Sequence, residues 1–295
     1  MSDLNNKVDE ILTQYGLDFS IEKSPMFALD KNGIYVPSTY FGLINSKTNE
    51  VINTCKDGYT ISQNDEVVSL VLRGTEKFGN ELKVSNGGSL NGGRKVFLQL
   101  EIEGTSIVGN DTIKKYITII DSNDGSSSLS IGISDLTMSC SNQFHKFYKA
   151  GQSKFRHSAS LESRILEIPK LVEMALSESL KQIELYRNFQ STKVSRDLAN
   201  RMVKHLLGYD KVYTSMDVLS NLSTRSTNKM EDLYDSIHSE MNSKGDNLWG
   251  LHSGVTQFTT HKMSAPKREN GKLEVLLQGN GYKVNQQSLD FVMAY

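Results

Sequence analysis

The sequence predicts an α+β fold: an antiparallel, twisted β-meander packed on helices, followed by a helical C-terminal half. Three observations carry this. Between residues 80 and 135 apolar and polar residues alternate, the period of a half-buried strand. From Ser160 onward apolar residues recur in steps of 3 or 4, the period of a helical stripe. Strands come first and helices after, an order that belongs to segregated layers rather than to a parallel βαβ sheet.

Taken in chain order, "NKVDEILTQYG" has the apolar spacing of a short amphipathic helix that ends at Gly16. "GIYVP", "YFGLI" and "EVINTC" are extended segments. "SQNDEVVSLVLRG" fits a helix or a strand. Helix is favoured, because Val67, Leu70 and Val71 fall at i, i+3 and i+4, with Ser62 or Asn64 as the cap. In "RKVFLQLEI", Val96, Leu98, Leu100 and Ile102 face one way and Phe97, Gln99 and Glu101 the other. "KKYITIID" and "SLSIGIS" flank "SNDG", where Asp124-Gly125 suits a type I′ hairpin turn.

The helical half opens with the stripe Leu161, Ile165, Ile168, Val172, Leu176, Leu180 and Ile183, in which Pro169 predicts a kink or a break. Further helices are predicted over 193–207, 229–242 and 246–262, with "STRSTN" as a surface loop. The organisation is a mainly β region over 1–159 that carries a basic patch, a helical region over 160–265 packing on it, and a weakly patterned segment over 266–295.

Composition narrows the function classes. Hydrophobic residues make up 37% and charged residues 23%, so the chain has the means to bury a core. The net charge of −1 points to no nucleic-acid or membrane partner by itself, so local distribution matters more. Residues 1–80 hold 7 bases and 11 acids, whereas 81–159 hold 9 bases and 7 acids. Cys55 and Cys140 form no CxxC and suit a reducing cytosol. The polar start "MSDLNNKVDE" does not read as a secretory signal, and "VVSLVL" is far too short to span a bilayer.

Catalytic and cofactor signatures are weak. "NGGSLNGGRK" has glycines at phosphate-loop spacing, but Arg94-Lys95 stands where Lys-Ser/Thr is needed and a strand follows instead of a helix. A hairpin tip is the better reading, one that also presents Arg94 and Lys95. The six histidines make no metal-ligand spacing; His252 and His261 read as surface or capping groups. Cys140 with His145 or His157 lacks an orienting third group. Trp249 reads as core or interface. No cofactor, metal or small-molecule substrate is expected.

One stretch stands out. "FHKFYKAGQSKFRH", residues 144–157, holds Lys146, Lys149, Lys154 and Arg156 with Phe147, Tyr148 and Phe155 between them, and no acid occurs from Leu136 to Leu161. Bases neutralise phosphates and aromatic faces stack on nucleobases, the two requirements of single-strand binding. The alternative is a solvated connector whose aromatics plug the core.

"NGGRKVFLQLEI", "YITIIDSNDGSSSLSIGIS" with "CSNQF", "KFRHSAS" and "NLWGLHSGVTQFTTHK", in this order, resemble the phage/plasmid-like protein family, a domain of unknown function in phages, prophages and plasmids. The resemblance covers roughly residues 20–265. Members commonly carry an arginine-valine strand before the cysteine, where this chain has "DLTMSC". The family's architecture is similar to that of phage single-strand annealing proteins of the RecT and Red-beta type. The resemblance therefore implies a non-enzymatic single-stranded-DNA-binding and annealing protein of the bacterial host cytoplasm, acting as a homo-oligomeric ring or filament in recombination or replication. Phosphates would lie on Arg94, Lys95, Lys146, Lys149, Lys154 and Arg156, with stacking on Phe147, Tyr148 and Phe155. The second reading is a phage or plasmid assembly or host-interaction protein without nucleic-acid binding.

Overall fold

The computed structural model describes residues 2–124, 129–147, 161–209 and 223–295. Helix α1 (Ser2–Gln14) lays Val8, Ile11 and Leu12 on the core, and the chain turns at Gly16, whose φ of 64° needs no Cβ to accommodate. Strands β1 (Ile21–Leu29), β2 (Tyr35–Asn45) and β3 (Glu50–Lys56) form an antiparallel three-stranded sheet. The sequence hides β1 because Pro25 interrupts it; the strand absorbs this with a register shift between Pro25 and Phe27. Helix α2 (Asn64–Thr75) buries Val67, Val68, Leu70 and Val71, and Gln63 is its N-cap. The Gln63 N–H donates to the Glu66 carboxylate at 3.2 Å, while the Asn64 amide donates to the carbonyls of Leu17 and Phe19.

A second antiparallel sheet follows as a five-stranded meander: β4 (Leu82–Leu90), β5 (Lys95–Val108), β6 (Asp111–Ser122), β7 (Ser130–Thr137) and β8 (Gln143–Phe147). The alternation in β5 holds. Val96, Leu98, Leu100 and Ile102 enter the main core with Ile117, Ile119, Ile131 and Ile133, together with the three-stranded sheet and α2. Residues 125–128 of the β6–β7 turn, Gly125 among them, lie outside the described residues.

Helix α3 (Leu161–Ser191) runs over the same face and continues through Pro169 rather than breaking there. Its buried stripe is rotated from the expected one: Leu171, Val172, Ala175, Ile183 and Tyr186 are buried, whereas Leu180 is 62% exposed. Helices α4 (Arg196–Leu207), α5 (Thr224–Lys244) and α6 (Leu248–Gln257), the last extended by a π-turn over Phe258–Lys262, build a second core with the lower part of α3. "STRSTN" is not a loop but the start of α5. The Ser223 hydroxyl accepts from Ser226 N–H and caps it. The α5–α6 contact is close: a Cβ on Gly254 would sit 2.3 Å from the Ile237 Cα. His252, expected at a surface, is buried inside α6 with Nδ1 2.9 Å from Ser288 Oγ. Trp249 is core, as its size suggests.

The segment 266–295 is ordered into α7 (Gly271–Leu277), which packs on the opposite face of the five-stranded sheet with Leu277 against Leu90, Phe97 and Ile120, and α8 (Asn280–Met293), which packs on the edge strand β8 and on α4 and α6. The buried stripe of α8 is Gly281, Asn285, Ser288, Leu289 and Val292. It has helical spacing but little hydropathy, so periodicity of apolar residues misses it. Among the described residues no helix is long and apolar enough to cross a membrane.

Candidate functional site

The antiparallel registers bring Arg94 and Lys95 to one end of the five-stranded sheet, while Lys83, Lys114 and Lys115 lie towards the other. Lys95 opens β5 opposite Ser122, the last residue of β6. β8 runs parallel to β6, so its last residue Phe147, which pairs with Gly132, is the one nearest that same end. Arg94 is exposed there. Lys95 is half-buried, hydrogen-bonded to Gln278 and 3.9 Å from the Asp124 carboxylate. Lys146 shares its side of β8 with Phe144, which packs edge-on against Tyr186. The Phe147 side chain and all of Tyr148, Lys149, Lys154, Phe155 and Arg156 lie outside the described residues.

The sheet's second face carries a feature of another kind. Alternation puts Gln99, Thr118, Ser134 and His145 on this face of β5, β6, β7 and β8. Their side chains join into a hydrogen-bonded row that starts on β4. The Asn86 amide donates to Gln99 Oε1 at 2.8 Å, and Gln99 Nε2 donates to Thr118 Oγ1 at 3.1 Å. Thr118 Oγ1 and Ser134 Oγ are 2.6 Å apart, and Ser134 Oγ lies 2.6 Å from His145 Nδ1. Thr118 faces Gly132 on β7, which offers no side chain, and the hydroxyl reaches diagonally to Ser134. The Thr118–Ser134 and Ser134–His145 bonds can each run either way, and their direction follows the imidazole tautomer: with the ring proton on Nε2, Ser134 donates to Nδ1. Burial pushes this imidazole down to about 3, so it is neutral at physiological pH. Nε2 has no hydrogen-bond partner among the described residues.

A cavity of about 420 Å³ lies against this row, walled on the far side by α7. At its edge Glu101 pairs with Lys114 at 2.8 Å, and Lys272 donates to the Met263 carbonyl at 2.6 Å. Burial pushes the Tyr116 phenol up, and the neighbouring Glu101 charge adds to this.

A third cluster lies where the β5–β6 turn meets α5 and α6. Asp111 is bonded to Lys244, to Trp249 Nε1 at 2.7 Å and to Ser139 Oγ at 2.8 Å. Lys244 also lies 3.3 Å from Glu240 and 5.5 Å from the centre of the Trp249 ring. Burial pushes the Asp111 carboxyl up, but the Lys244 and Trp249 hydrogen bonds and the Lys244 charge outweigh it, and the group sits below its ordinary value. Cys140 is beside this cluster, its thiol pushed up by burial. His145 is bonded to Ser134 rather than to Cys140, so the two form no nucleophile–base pair. Among the described residues no group of three His, Cys, Asp or Glu side chains could hold a metal ion.

A family model described as a domain of unknown function, DUF932, matches residues 51–278. The chain belongs to the DUF932 family. The DUF932 match starts in β3 and ends one residue beyond α7, so it holds the whole polar row, the cavity walls and the Asp111 cluster. It leaves out α1, β1, β2 and α8. No curated protein and no solved structure matches the chain. The likeness to RecT-type annealing proteins thus stays an expectation from the sequence, while membership of a family of unknown function agrees with the resemblance read there.

The sequence alone does not find the polar row. Gln99 is legible as facing away from the core, but its partners lie on four other strands and only the registers bring them together.

Proposed function

We propose that the protein is a non-enzymatic single-stranded-DNA-binding protein of the bacterial cytoplasm that anneals strands as a homo-oligomer. The observation that carries this reading is the direction of β8. It runs towards the end of the sheet where Arg94 is exposed and Lys95 is already balanced by Asp124, and Lys149, Lys154 and Arg156 follow it in the sequence. Phosphates bound there would be held by Arg94, Lys149, Lys154 and Arg156, with Lys95 and Lys146 at the margin.

The test is salt dependence. With about four phosphates contacted, log K falls against log salt with a slope near −3, at ~0.7 per contact for single strands. Replacing Arg94, Lys149, Lys154 and Arg156 together by Ala should weaken binding and flatten that slope. Binding that is independent of salt, or unchanged in this variant, overturns the reading.

A specific observation favours the second reading, an assembly protein without nucleic acid. The β1–β2 hairpin exposes Phe27, Leu29, Ile34, Tyr35 and Tyr40, with Tyr35 72% accessible, and among its tip residues Asp30 and Lys31 offset each other. An apolar, neutral hairpin at a sheet edge suits a second copy of the chain better than a phosphate backbone. Light scattering of wild type against Phe27→Ser/Tyr35→Ser separates the two. Assembly lost with DNA binding kept gives the arm to oligomerisation alone.

A further inference from the structure

The start of α5 breaks two electrostatic rules. Arg225 lies in its first turn, where the helix dipole favours an acid, and that turn holds no acid. Lys229 follows four residues later on the same face, and like charges at that spacing disfavour a helix. Among the described residues neither side chain pairs with a carboxylate. Both border a cavity of about 660 Å³ that lies between α5, the π-turn, α7 and α8. Lys262, the last residue of the π-turn, borders it as well. Among the described residues Asp232 is the single acid in the wall, 4.0 Å from Lys262 and, like it, about half exposed. Three bases against one acid leave two positive charges in excess, in a chain whose formal net charge is −1. Local rules broken without compensation inside the fold are a mark of functional sites.

We propose that this cavity binds phosphate oxygens carrying about two negative charges, held between Arg225, Lys229 and Lys262. Charge selects the class. A carboxylate brings one negative charge, whereas a phosphate monoester brings nearly two, as do two neighbouring diester groups of a strand. The donors fit as well. A guanidinium fork engages two phosphate oxygens at once, and the two ammonium groups act as point charges across the cavity from each other, one on α5 and one on the π-turn. Asn228, Ser264 and Asn280 add neutral hydrogen-bonding groups to the wall. Asn280 is also the first residue of α8, so the positive end of that helix dipole has the same sign as the cations. A concave surface of one sign concentrates its field on the space it encloses. Phe258, Met263 and Val275 supply the apolar part of the wall, against which the organic portion of a phosphate ester can lie. A bound anion removes both conflicts at the start of α5. The phosphate can come from a small compound or from a strand; the recognition chemistry is the same. The inference goes beyond the strand-binding reading and does not rest on it, because none of the lining residues belongs to a sheet.

The experiment titrates the full chain at low ionic strength with inorganic pyrophosphate, with acetate at matched ionic strength, and with oligothymidine bearing or lacking a 5′-phosphate. Calorimetry reads binding and thermal unfolding reads Tm. Pyrophosphate should bind and raise Tm, and acetate should do neither. Arg225→Ala/Lys229→Ala should leave the unliganded protein as stable or slightly more so, because it removes a like-charged pair, and should weaken pyrophosphate binding at least about tenfold. Asp232→Asn, which removes the single acid, should tighten it about 2–5-fold. The arms tell the sources apart. Pyrophosphate binding with no oligothymidine response assigns the site to a small phosphate compound. A preference for the 5′-phosphorylated strand that is lost in Arg225→Ala/Lys229→Ala assigns it to a strand end. Equal binding of both strands, weakened in that variant, assigns it to the backbone. If no probe loses affinity in Arg225→Ala/Lys229→Ala, the proposal is overturned. Acetate that matches pyrophosphate also overturns it, since screening of the α5 charges then accounts for the gain. Oligothymidine binding lost when Arg94, Lys149, Lys154 and Arg156 are replaced, but unchanged in Arg225→Ala/Lys229→Ala with pyrophosphate unbound, keeps the strand reading and sinks this one.

Discussion

Two buried polar networks among the described residues differ in charge and in closure. The Asp111 cluster is ionic and closed around Asp111, while Glu240 Oε2 meets Lys244 as a charge without a hydrogen bond. Its lysine meets two carboxylates, and Asp111 receives Lys244, Trp249 and Ser139. The row from Asn86 to His145 is neutral and open, ending on a nitrogen with no partner among the described residues. The closed network ties a sheet turn to two helices, with partners 133 residues apart in the chain. The open one lies across a single sheet and spends nothing on joining elements.

The largest expected effect breaks the closed network. Lys244→Met keeps most of the stem but leaves the Asp111 and Glu240 carboxylates buried without their cation. Both members of the wild-type pair are under a tenth exposed, so the loss should be about 3–5 kcal/mol at neutral pH. In the wild type the lowered Asp111 group gives stability that is present above its unfolded pKa and lost as pH falls through the folded one. In the variant the lysine no longer offsets burial, against which only the Trp249 and Ser139 bonds remain at Asp111, so mild acid should recover part of the loss. Urea denaturation at two pH values checks both statements. A cost below about 1 kcal/mol would show that the ion pair is not what closes the joint.

A second prediction uses proton linkage. His145 and His252 are held neutral by burial, pushed down to about 3 and about 4 from an ordinary 6.5. Their contribution is full above 6.5 and lost as pH falls below it, because the unfolded chain takes up those protons first. Asp135 opposes them. Burial pushes its carboxyl up to about 7, against the hydrogen bond from Tyr186 at 2.9 Å and the nearby Lys115 and Lys146 charges. A raised group contributes most below its unfolded value of 3.8 and loses that contribution as pH rises through 7. Between pH 4.5 and 6.5 two groups work against one, so stability should fall on acidification by about 1.4 kcal/mol per pH unit. Asp135→Asn removes the opposing group, and the slope should approach about 2.7 kcal/mol per unit. An acid limb of equal slope in both proteins would remove Asp135 from the titrating set.

These two networks also show what the sequence makes legible. The sheet was readable because β5 alternates cleanly; Val96, Leu98, Leu100 and Ile102 all reach the core face. The helices α4, α5 and α6 were readable because Leu198, Met202, Leu233, Ile237, Leu251 and Val255 repeat at helical spacing. The second face was not, since Gln99, Thr118 and Ser134 look like ordinary solvent-facing alternates. They are buried on the face where α7 packs, in a segment of weak pattern, and α8 beside it packs Gly281, Asn285 and Ser288, residues without hydropathy, against α7, the π-turn and α6. Nor could spacing reveal that Lys95 faces Asp124 and Gln278, or that Asp111 meets Lys244. Such pairs come from register and helix packing, which a one-dimensional pattern does not encode. The basic run of 148–156 was legible as composition, and its residues lie outside those described.

The smallest expected effect tests whether the open row acts as one chain of donors. Thr118→Val is close to isosteric and removes the link between Gln99 and Ser134. It leaves the Gln99 N–H and the Ser134 oxygen each short of a partner, at a cost of about 1–3 kcal/mol. Ser134→Ala alone should cost a similar amount, because Thr118 loses its acceptor and His145 Nδ1 its donor. The informative quantity is the double variant. If the hydroxyls polarise one another along a single row, the second cut removes a bond already weakened by the first, and the two losses should fall short of additivity by more than about 0.5 kcal/mol. The shortfall should come with a change at His145. Once Ser134 no longer donates, Nδ1 is free to carry the ring proton, and the ¹⁵N signature should move from the Nε2–H form towards a mixture. Losses that add to within about 0.3 kcal/mol, with the tautomer unchanged, would mean that the five side chains are independent pairs and that the contrast between a closed and an open network is one of geometry alone.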